Sequence, residues 1–495
     1  MAGTILRHAG LDPASTFLFS RLGRKEGGPL IKSGVTVCGA AAALIAQLLL
    51  AAPAAAQQNS PPYLRALAAG YKASFLCSDI FNAGQSEAQV ERDDLQRTYA
   101  ELVPIMAELK ANVDRRARTV SVAFDDKLPP RVAAWRPHLG CSNLPIGAAA
   151  STASLLPRLT VNPAVERADK LAWPNGDRGA LARPRGNARA LTGVIGAAFD
   201  RRTYGQGSET TALVIVQDSR IVAERYRDDF NMHMSQRTWS VAKSITATLV
   251  GAAVQQGRLD VNAPAPIPAW RSPGDPRAAI TTDQLLRMAS GLHSDHAGNR
   301  TDALYFGGTA VTEQATGWPL EAAPGTRWRY ANNDILLATH GLQAALGEES
   351  LSFPFTHLFW KIGMNRTMPE TDWKGNFILS SQVWTTARDL ARLGLLYLND
   401  GMWSGERVLL AGWGAYVARH GPAQPPSGYG YGAGFWTFPK GAGLPEDGYV
   451  MRGNRGQYVA IVPSRRVVIV RRGYDGEGAG FDLDGFTRDV LAALR

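Results

Sequence analysis

The sequence predicts an α/β (α+β) fold: an antiparallel sheet flanked by helices, a mostly helical subdomain, and a smaller N-terminal extension. Three observations carry that expectation. "TALVIVQDSRIVAERY" reads as two β-rich runs around Asp218 and Ser219, a hairpin. "QYVAIVPSRRVVIVRRG" supplies further strands near the other end of the chain. Between them lies a long loop-rich middle with short helical patterns such as "TDQLLRMAS" and "TTARDLARLGLLYLND". Strands at both ends with helices between call for one sheet whose strands come from distant parts of the chain.

In chain order, Arg21, Arg24, Lys25 and Lys32 precede an apolar stretch from Val35 to Ala52, and the small residues Ala54 and Ala56 precede Gln57. A basic start, an apolar core and an A-x-A exit describe a secretory signal peptide over residues 1–56. A retained anchor is the rival, because the apolar stretch approaches spanning length. The alanine content and small-residue exit favour cleavage, which leaves no membrane span and a periplasmic or secreted protein. Residues 57–184 read as an extension and connector. "PPYLRALAAGYKASFLCSDIF" and "ERDDLQRTYAELVPIMAELKANVDRRA" have helical spacing, and "TVSVAF" alternates like a strand. From Asn143 to Ala190 the texture turns to Pro, Gly, Arg and Ala, that of a connector, with a boundary near Pro184.

Residues 185–495 form the main domain. It opens with a helical stretch, continues with the hairpin, and then with a helix that starts near Ser240 and stops at Gly257. "FDLDGFTRDVLAALR" closes the chain as a helix. The totals, 495 residues with 45% hydrophobic and 19% charged, are those of a globular protein. A net charge of +10 is spread along the chain without a clustered basic stripe, which argues against nucleic acid as a partner. In an exported chain Cys77 and Cys141 would be the cysteines left, and a disulfide between them is expected; two unrelated buried thiols are the alternative.

The segment "TWSVAKSIT" places Ser240 and Lys243 three apart where an apolar helix begins. At that spacing both side chains lie on one helical face, about 5–6 Å apart at Cβ. A serine hydroxyl becomes a nucleophile when a neighbouring base takes its proton, and a desolvated lysine can do so. The free N–H groups of the first turn favour the negative charge that develops on attack. This is the one Ser-x-x-Lys in the chain. "RYANNDILLATHGL" then puts Tyr330 and Asn332 two apart before a helix: a general base or acid and an amide contact, or else an aromatic staple and an N-cap. In "MRGNRGQYVAIVP", Gly453 and Gly456 flank a strand start, where exposed N–H groups can form half of an oxyanion hole; a plain glycine turn is the alternative.

Ser-x-x-Lys, then Tyr-x-Asn, then a glycine-bearing strand is an order that resembles the serine β-lactamase-like and penicillin-binding-type hydrolases, over roughly Thr211 to Val490. In texture the chain is most similar to the branch of 6-aminohexanoate-dimer hydrolases and related esterases. The resemblance implies Ser240 as the acylated nucleophile, Lys243 as its proton acceptor and Tyr330 as a second base and acid. It further implies an oxyanion hole from the N–H groups of Ser240 and Asn454, and a substrate contact from Asn332. One departure stands out. Where β-lactamases and cell-wall peptidases carry Lys-Thr-Gly, this chain reads Met451-Arg452-Gly453. Met451 brings no charge; Arg452 either partly replaces the missing cation or, if its neighbours face the pocket, faces the other side of the sheet. "GYKASFLCSDIF" and "WRPHLGCSNLP" are similar to the N-terminal extension of some exported members, which supports the Cys77–Cys141 pair.

The implied function is exported hydrolysis of a small-molecule or short peptide-like amide or ester through an acyl-serine, without a cofactor. A D,D-peptidase or β-lactamase, or a catalytically silent cell-wall peptide binder, are the alternatives. No Gly-x-Ser-x-Gly occurs. His293 and His296 fall in a loop without a strong third ligand, so no metal is expected. Trp328, Trp384 and Trp436 are candidates for substrate stacking or for core.

Overall fold

The described residues of this computed structural model are 60–161, 170–179, 181–294 and 301–495; the segment read as a signal peptide, residues 1–56, lies outside them. Helix α1 (Pro61–Phe81) comes first. It packs on a four-stranded antiparallel meander in sequence order: β1 (Ala111–Asp114), β2 (Thr119–Val122), β3 (Arg131–Arg136) and β4 (Gly140–Asn143). Pro61 and Pro62 start α1 where a missing N–H costs nothing. Its middle is buried on nearly all sides, because the sheet covers one face and the main body the other. The Phe75 ring lies 6.2 Å from that of Trp239 and 6.3 Å from that of Trp384.

A disulfide joins Cys77 of α1 to Cys141 of β4, as the export reading expected. It closes a sequence separation of 64 residues, which restricts the unfolded chain. Replacing both cysteines by serine should therefore lower the unfolding free energy by about 2–4 kcal/mol. Urea denaturation of the two proteins, beside non-reducing peptide mapping of the wild type, checks this. Equal stability would contradict it.

The second expected helix is broken up. Short turns at Glu87–Val90 and Glu91–Leu95 are followed by a helix of six residues, Val103–Glu108, and then by β1. Tyr99 sits at φ +58°, a left-handed conformation that stops a helix. Pro104 can be housed only in a first turn. Asp114 Oδ1 then accepts from the N–H groups of Arg116 and Ala117 at 2.9 and 2.8 Å, which shapes the β1–β2 turn that helical spacing had concealed.

The main sheet has seven antiparallel strands. In chain order they are β5 (Thr210–Gln217), β6 (Arg220–Tyr226), β12 (Gly430–Tyr431), β13 (Trp436–Thr437), β14 (Tyr449–Gly453), β15 (Gln457–Val462) and β16 (Val467–Gly473). Three small pieces form a separate sheet, β7 (Gln236–Arg237), β8 (Met368–Pro369) and β9 (Val383–Thr385), and β10 (Met402–Trp403) pairs with β11 (Glu406–Arg407). Spatial order in the main sheet is β12-β13-β14-β15-β16-β5-β6, so strands from distant parts of the chain meet, with Val214 opposite Val470. Asp218 and Ser219 take φ +48° and +66° in the β5–β6 turn, the left-handed pair that a two-residue hairpin needs.

β5 and β16 are buried along their whole length, and so read as continuous apolar runs rather than alternations. Helix α2 (Ala188–Ala198) packs with the closing helix, α7 (Leu483–Ala493). Of the helices between them, α3 (Val241–Gln255) and α6 (Ala387–Leu398) share a face of the sheet, tied by a 2.8 Å hydrogen bond between Thr248 and the Tyr397 hydroxyl. Gly394 lets α6 approach β16, since a Cβ there would lie 2.5 Å from Val468 Cγ1. Arg471, on the opposite face of β16, stacks on Phe481. The connector lies against α6, whose Arg392 donates to the carbonyls of Pro174 and Gly176 at 2.7 and 2.6 Å. Helices α4 (Thr282–Leu286) and α5 (Asn332–Leu346) belong to the middle region.

Candidate active site

Ser240 stands at the N-cap of α3, half-buried, directly after Trp239. Trp239 has φ +50°, a strained conformation for a bulky residue that turns the chain sharply out of β7. Lys243, one turn into α3, is 1% exposed. Its Nζ donates to Ser240 Oγ at 3.0 Å, to Asn332 Oδ1 at 2.6 Å and to the Ser380 carbonyl at 2.8 Å. As a neutral amine, Lys243 can give its two protons to Asn332 and Ser380 and turn its lone pair to the serine. Geometry of that kind can take the hydroxyl proton.

Tyr330 is also here. The lysine nitrogen lies 5.0 Å from the centre of its ring. Asn332 begins α5, with Ala331 as the N-cap, so its side chain does not cap the helix. It is instead buried against Lys243, and Asn332 Nδ2 reaches Thr301 Oγ1 at 3.4 Å. Two residues on, Asp334 is buried and accepts from Ser290 Oγ at 2.8 Å. Burial pushes its carboxyl up to about 7, against the pull of the Ser290 hydroxyl and N–H. This bond ties the "MASGL" segment to the start of α5.

Gly453 ends β14 beside the serine turn. A Cβ at this position would overlap the Thr238 carbonyl oxygen and sit 3.1 Å from the Val241 nitrogen, so only glycine fits. Asn454 follows, its side-chain Oδ1 accepting from the Arg455 N–H at 2.8 Å. Neither the Ser240 N–H nor the Asn454 N–H donates a turn, loop or cap hydrogen bond among the described residues. Arg452 alternates to the face of β14 opposite Gly453, where its guanidinium stacks on Tyr429 at 4.1 Å and lies 5.7 Å from the ring of Trp436. Met451 is fully buried.

The tryptophans divide. Trp384 is core and donates to Asp79 Oδ1 at 3.3 Å. Trp436 and Trp328 stand beside Tyr330, at ring distances of 5.5 and 6.3 Å, with Tyr431 completing an aromatic group 4.7 Å from Trp436. His293 pairs with Glu321 and lies 5.0 Å from the Trp318 ring. His296 lies outside the described residues. Among the described residues no group of three or more His, Cys, Asp or Glu side chains could hold a metal ion. Nor is any described helix long and apolar enough to cross a membrane.

The profile of the family described as Beta-lactamase matches residues 195–472, more than half of the chain. The chain belongs to the β-lactamase family. This family consists of serine hydrolases of amidase, esterase and peptidase type. Among curated proteins, the 6-aminohexanoate-dimer hydrolase of Paenarthrobacter ureafaciens is 27% identical over 258 residues, which is 47% of this chain. The match spans 62% of that relative's own length. A solved structure from Bacteroides dorei, described as a candidate beta-lactamase, superposes with a TM-score of 0.51 at 19% identity, over 62% of this chain and 99% of the other, and shows the shared fold. A candidate 6-aminohexanoate-dimer hydrolase from Bacillus anthracis gives a TM-score of 0.49 at 20% identity, over 57% and 78%.

Ser380 went unnoticed in the sequence, because any residue type can supply a backbone carbonyl. Asp334 had one signal, its place two residues after Asn332 at a helix start.

Proposed function

We propose that the protein is an exported serine hydrolase that cleaves a small-molecule or short peptide-like linear amide or ester through an acyl intermediate on Ser240. The observation that carries this reading is the 3.0 Å contact between the buried Lys243 amine and Ser240 Oγ at the start of α3. In the first half-reaction Lys243 takes the hydroxyl proton and Oγ attacks the acyl carbon. The oxyanion that forms is received by the N–H groups of Ser240 and Asn454. Lys243 and Tyr330 return the proton to the leaving amine or alkoxide as its bond to carbon breaks. Water, deprotonated by the same pair, then attacks the acyl carbon, and Ser240 is restored as the carboxylic acid leaves. Asn332 holds Lys243 in place and contacts the acyl-side amide. Export is supported by the signal-like N-terminus and by the disulfide.

Substrate class follows from what surrounds the serine. Sites that select a carboxylate need a cation aimed at it, and a site built around such a contact rejects partners that lack their half. Here the β14 residue in the place of such a cation is Met451, uncharged and fully buried, and the Arg452 guanidinium is taken up by the rings of Tyr429 and Trp436 at 4.1 and 5.7 Å. The rings of Trp328, Tyr431 and Trp436 beside Tyr330 favour apolar or aliphatic groups instead. Nitrocefin, penicillin G, a D-Ala-D-Ala peptide, p-nitrophenyl butyrate and an aminohexanoate dimer form the test panel. The ester or the linear amide should have the highest kcat/KM. Nitrocefin or the D-Ala-D-Ala peptide in first place would replace this reading by that of a β-lactamase or D,D-peptidase.

A further inference from the structure

The N-terminal extension lies outside the matched family region, yet it touches the residues next to both proposed oxyanion donors. Ahead of Ser240, the Trp239 ring at φ +50° is gripped by Phe75 of α1 at 6.2 Å and by Tyr99 edge-on at 6.3 Å. Arg237 stacks on its face at 4.0 Å. After Asn454, Arg455 is also left-handed, at φ +59°, and its side chain is buried. Its Nη1 pairs with Asp94 Oδ1 at 2.5 Å, and its Nη2 donates to the Asp93 carbonyl. Asp93 is held in turn by Arg227 of the main body at 2.5 Å. Burial raises the Asp94 carboxyl, and the Arg455 guanidinium pulls it back toward the carboxylate. Left-handed backbone at a residue other than glycine persists where its surroundings over-determine it. For Trp239 and Arg455, the extension supplies a large part of those surroundings.

We infer that the extension holds both halves of the oxyanion site: Asp94 positions the Asn454 N–H through Arg455, and Phe75 with Tyr99 positions the Ser240 N–H through Trp239. The inference rests on the assignment of Ser240 and Asn454 in the preceding subsection. These are positioning residues; none meets substrate. Their effect belongs to the transition state, where the oxygen is charged, rather than to substrate binding. The extension is thus part of the catalytic centre and more than a covering layer.

The test uses the full disulfide-bonded chain with Asp94→Asn, Asp94→Glu and Phe75→Leu. Active sites are counted by fluorophosphonate titration, so that misfolded protein does not enter kcat. With p-nitrophenyl butyrate, Asp94→Asn should lose ~10–100-fold in kcat, the scale of a small misplacement in an active site, while KM stays within about threefold. Phenylboronic acid, which forms a tetrahedral adduct on the serine, should bind more weakly by a similar factor. Asp94→Glu, which keeps the carboxylate, should lose less, and Phe75→Leu should lose ~10-fold in kcat. Wild-type kcat per titrated site and wild-type boronate affinity in Asp94→Asn would overturn the inference. If Asp94→Asn does not fold, the same result in Phe75→Leu would do so. A Ser240→Ala protein that remains active would instead overturn the assignment of the nucleophile, so the two failures are distinct.

Discussion

Ser240→Ala should lose all measurable turnover of p-nitrophenyl butyrate, a fall of at least ~10⁴-fold, because the other groups of a nucleophilic site achieve little without their nucleophile. The fold should survive. Ser240 is half-buried at the start of α3, and the atom removed accepts only from Lys243 among the described bonds. Lys243 keeps Asn332 Oδ1 and the Ser380 carbonyl as partners, so stability should stay within about 0.5 kcal/mol of wild type. Initial rates on protein verified by circular dichroism and urea unfolding check both halves. A folded variant with most of the wild-type rate would move the nucleophile elsewhere.

The second large effect belongs to Lys243 and Tyr330. Lys243→Ala and Tyr330→Phe should each reduce kcat by ~10²–10⁴-fold, the usual loss when a general acid–base group is removed. Made together they should cost less than the product of the single losses, since both serve the same proton transfers across a 5.0 Å lysine-to-ring distance. Fully multiplicative losses would mean that they act independently. The lysine variant has a second, structural effect. It strips the donor from two buried oxygens, Asn332 Oδ1 and the Ser380 carbonyl, at about 1–3 kcal/mol for each left unsatisfied. Tyr330→Phe removes only a hydroxyl from a half-buried ring and should spare stability. Comparing unfolding midpoints with kcat per titrated site separates the two effects.

Much of this architecture was legible because local pattern and global fold agree. The β5–β6 hairpin announces itself in two β-rich runs around a polar pair, and α3 in an apolar run ended by Gly257. Ser240 and Lys243 meet because a helix always brings residues three apart to one face. What escaped depends on partners far away in sequence. Nothing near Arg455 foretells that it pairs with Asp94, 361 residues away. Helical spacing around Glu91 to Ala117 was real but lost to Pro104, to the left-handed Tyr99 and to the β1–β2 pairing. The three tryptophans look alike in sequence, and only tertiary packing places Trp384 against Asp79 and the other two beside Tyr330.

The strand order also sets a timetable for synthesis. β5 is flanked by β6, which follows at once, and by β16, the last strand to be made. Until residues 467–473 leave the ribosome, one edge of the most buried strand has nothing to pair with, and α6 lacks one of the strands on which it packs. Contacts this distant along the chain form slowly, after the loop between them has closed. The main sheet of this topology is therefore completed only at the end of translation, whereas α1 and the β1–β4 meander have their partners early. If the chain is exported as proposed, that delay would suit passage through a translocation channel, and the Cys77–Cys141 link could form at one end while the sheet at the other is still assembling.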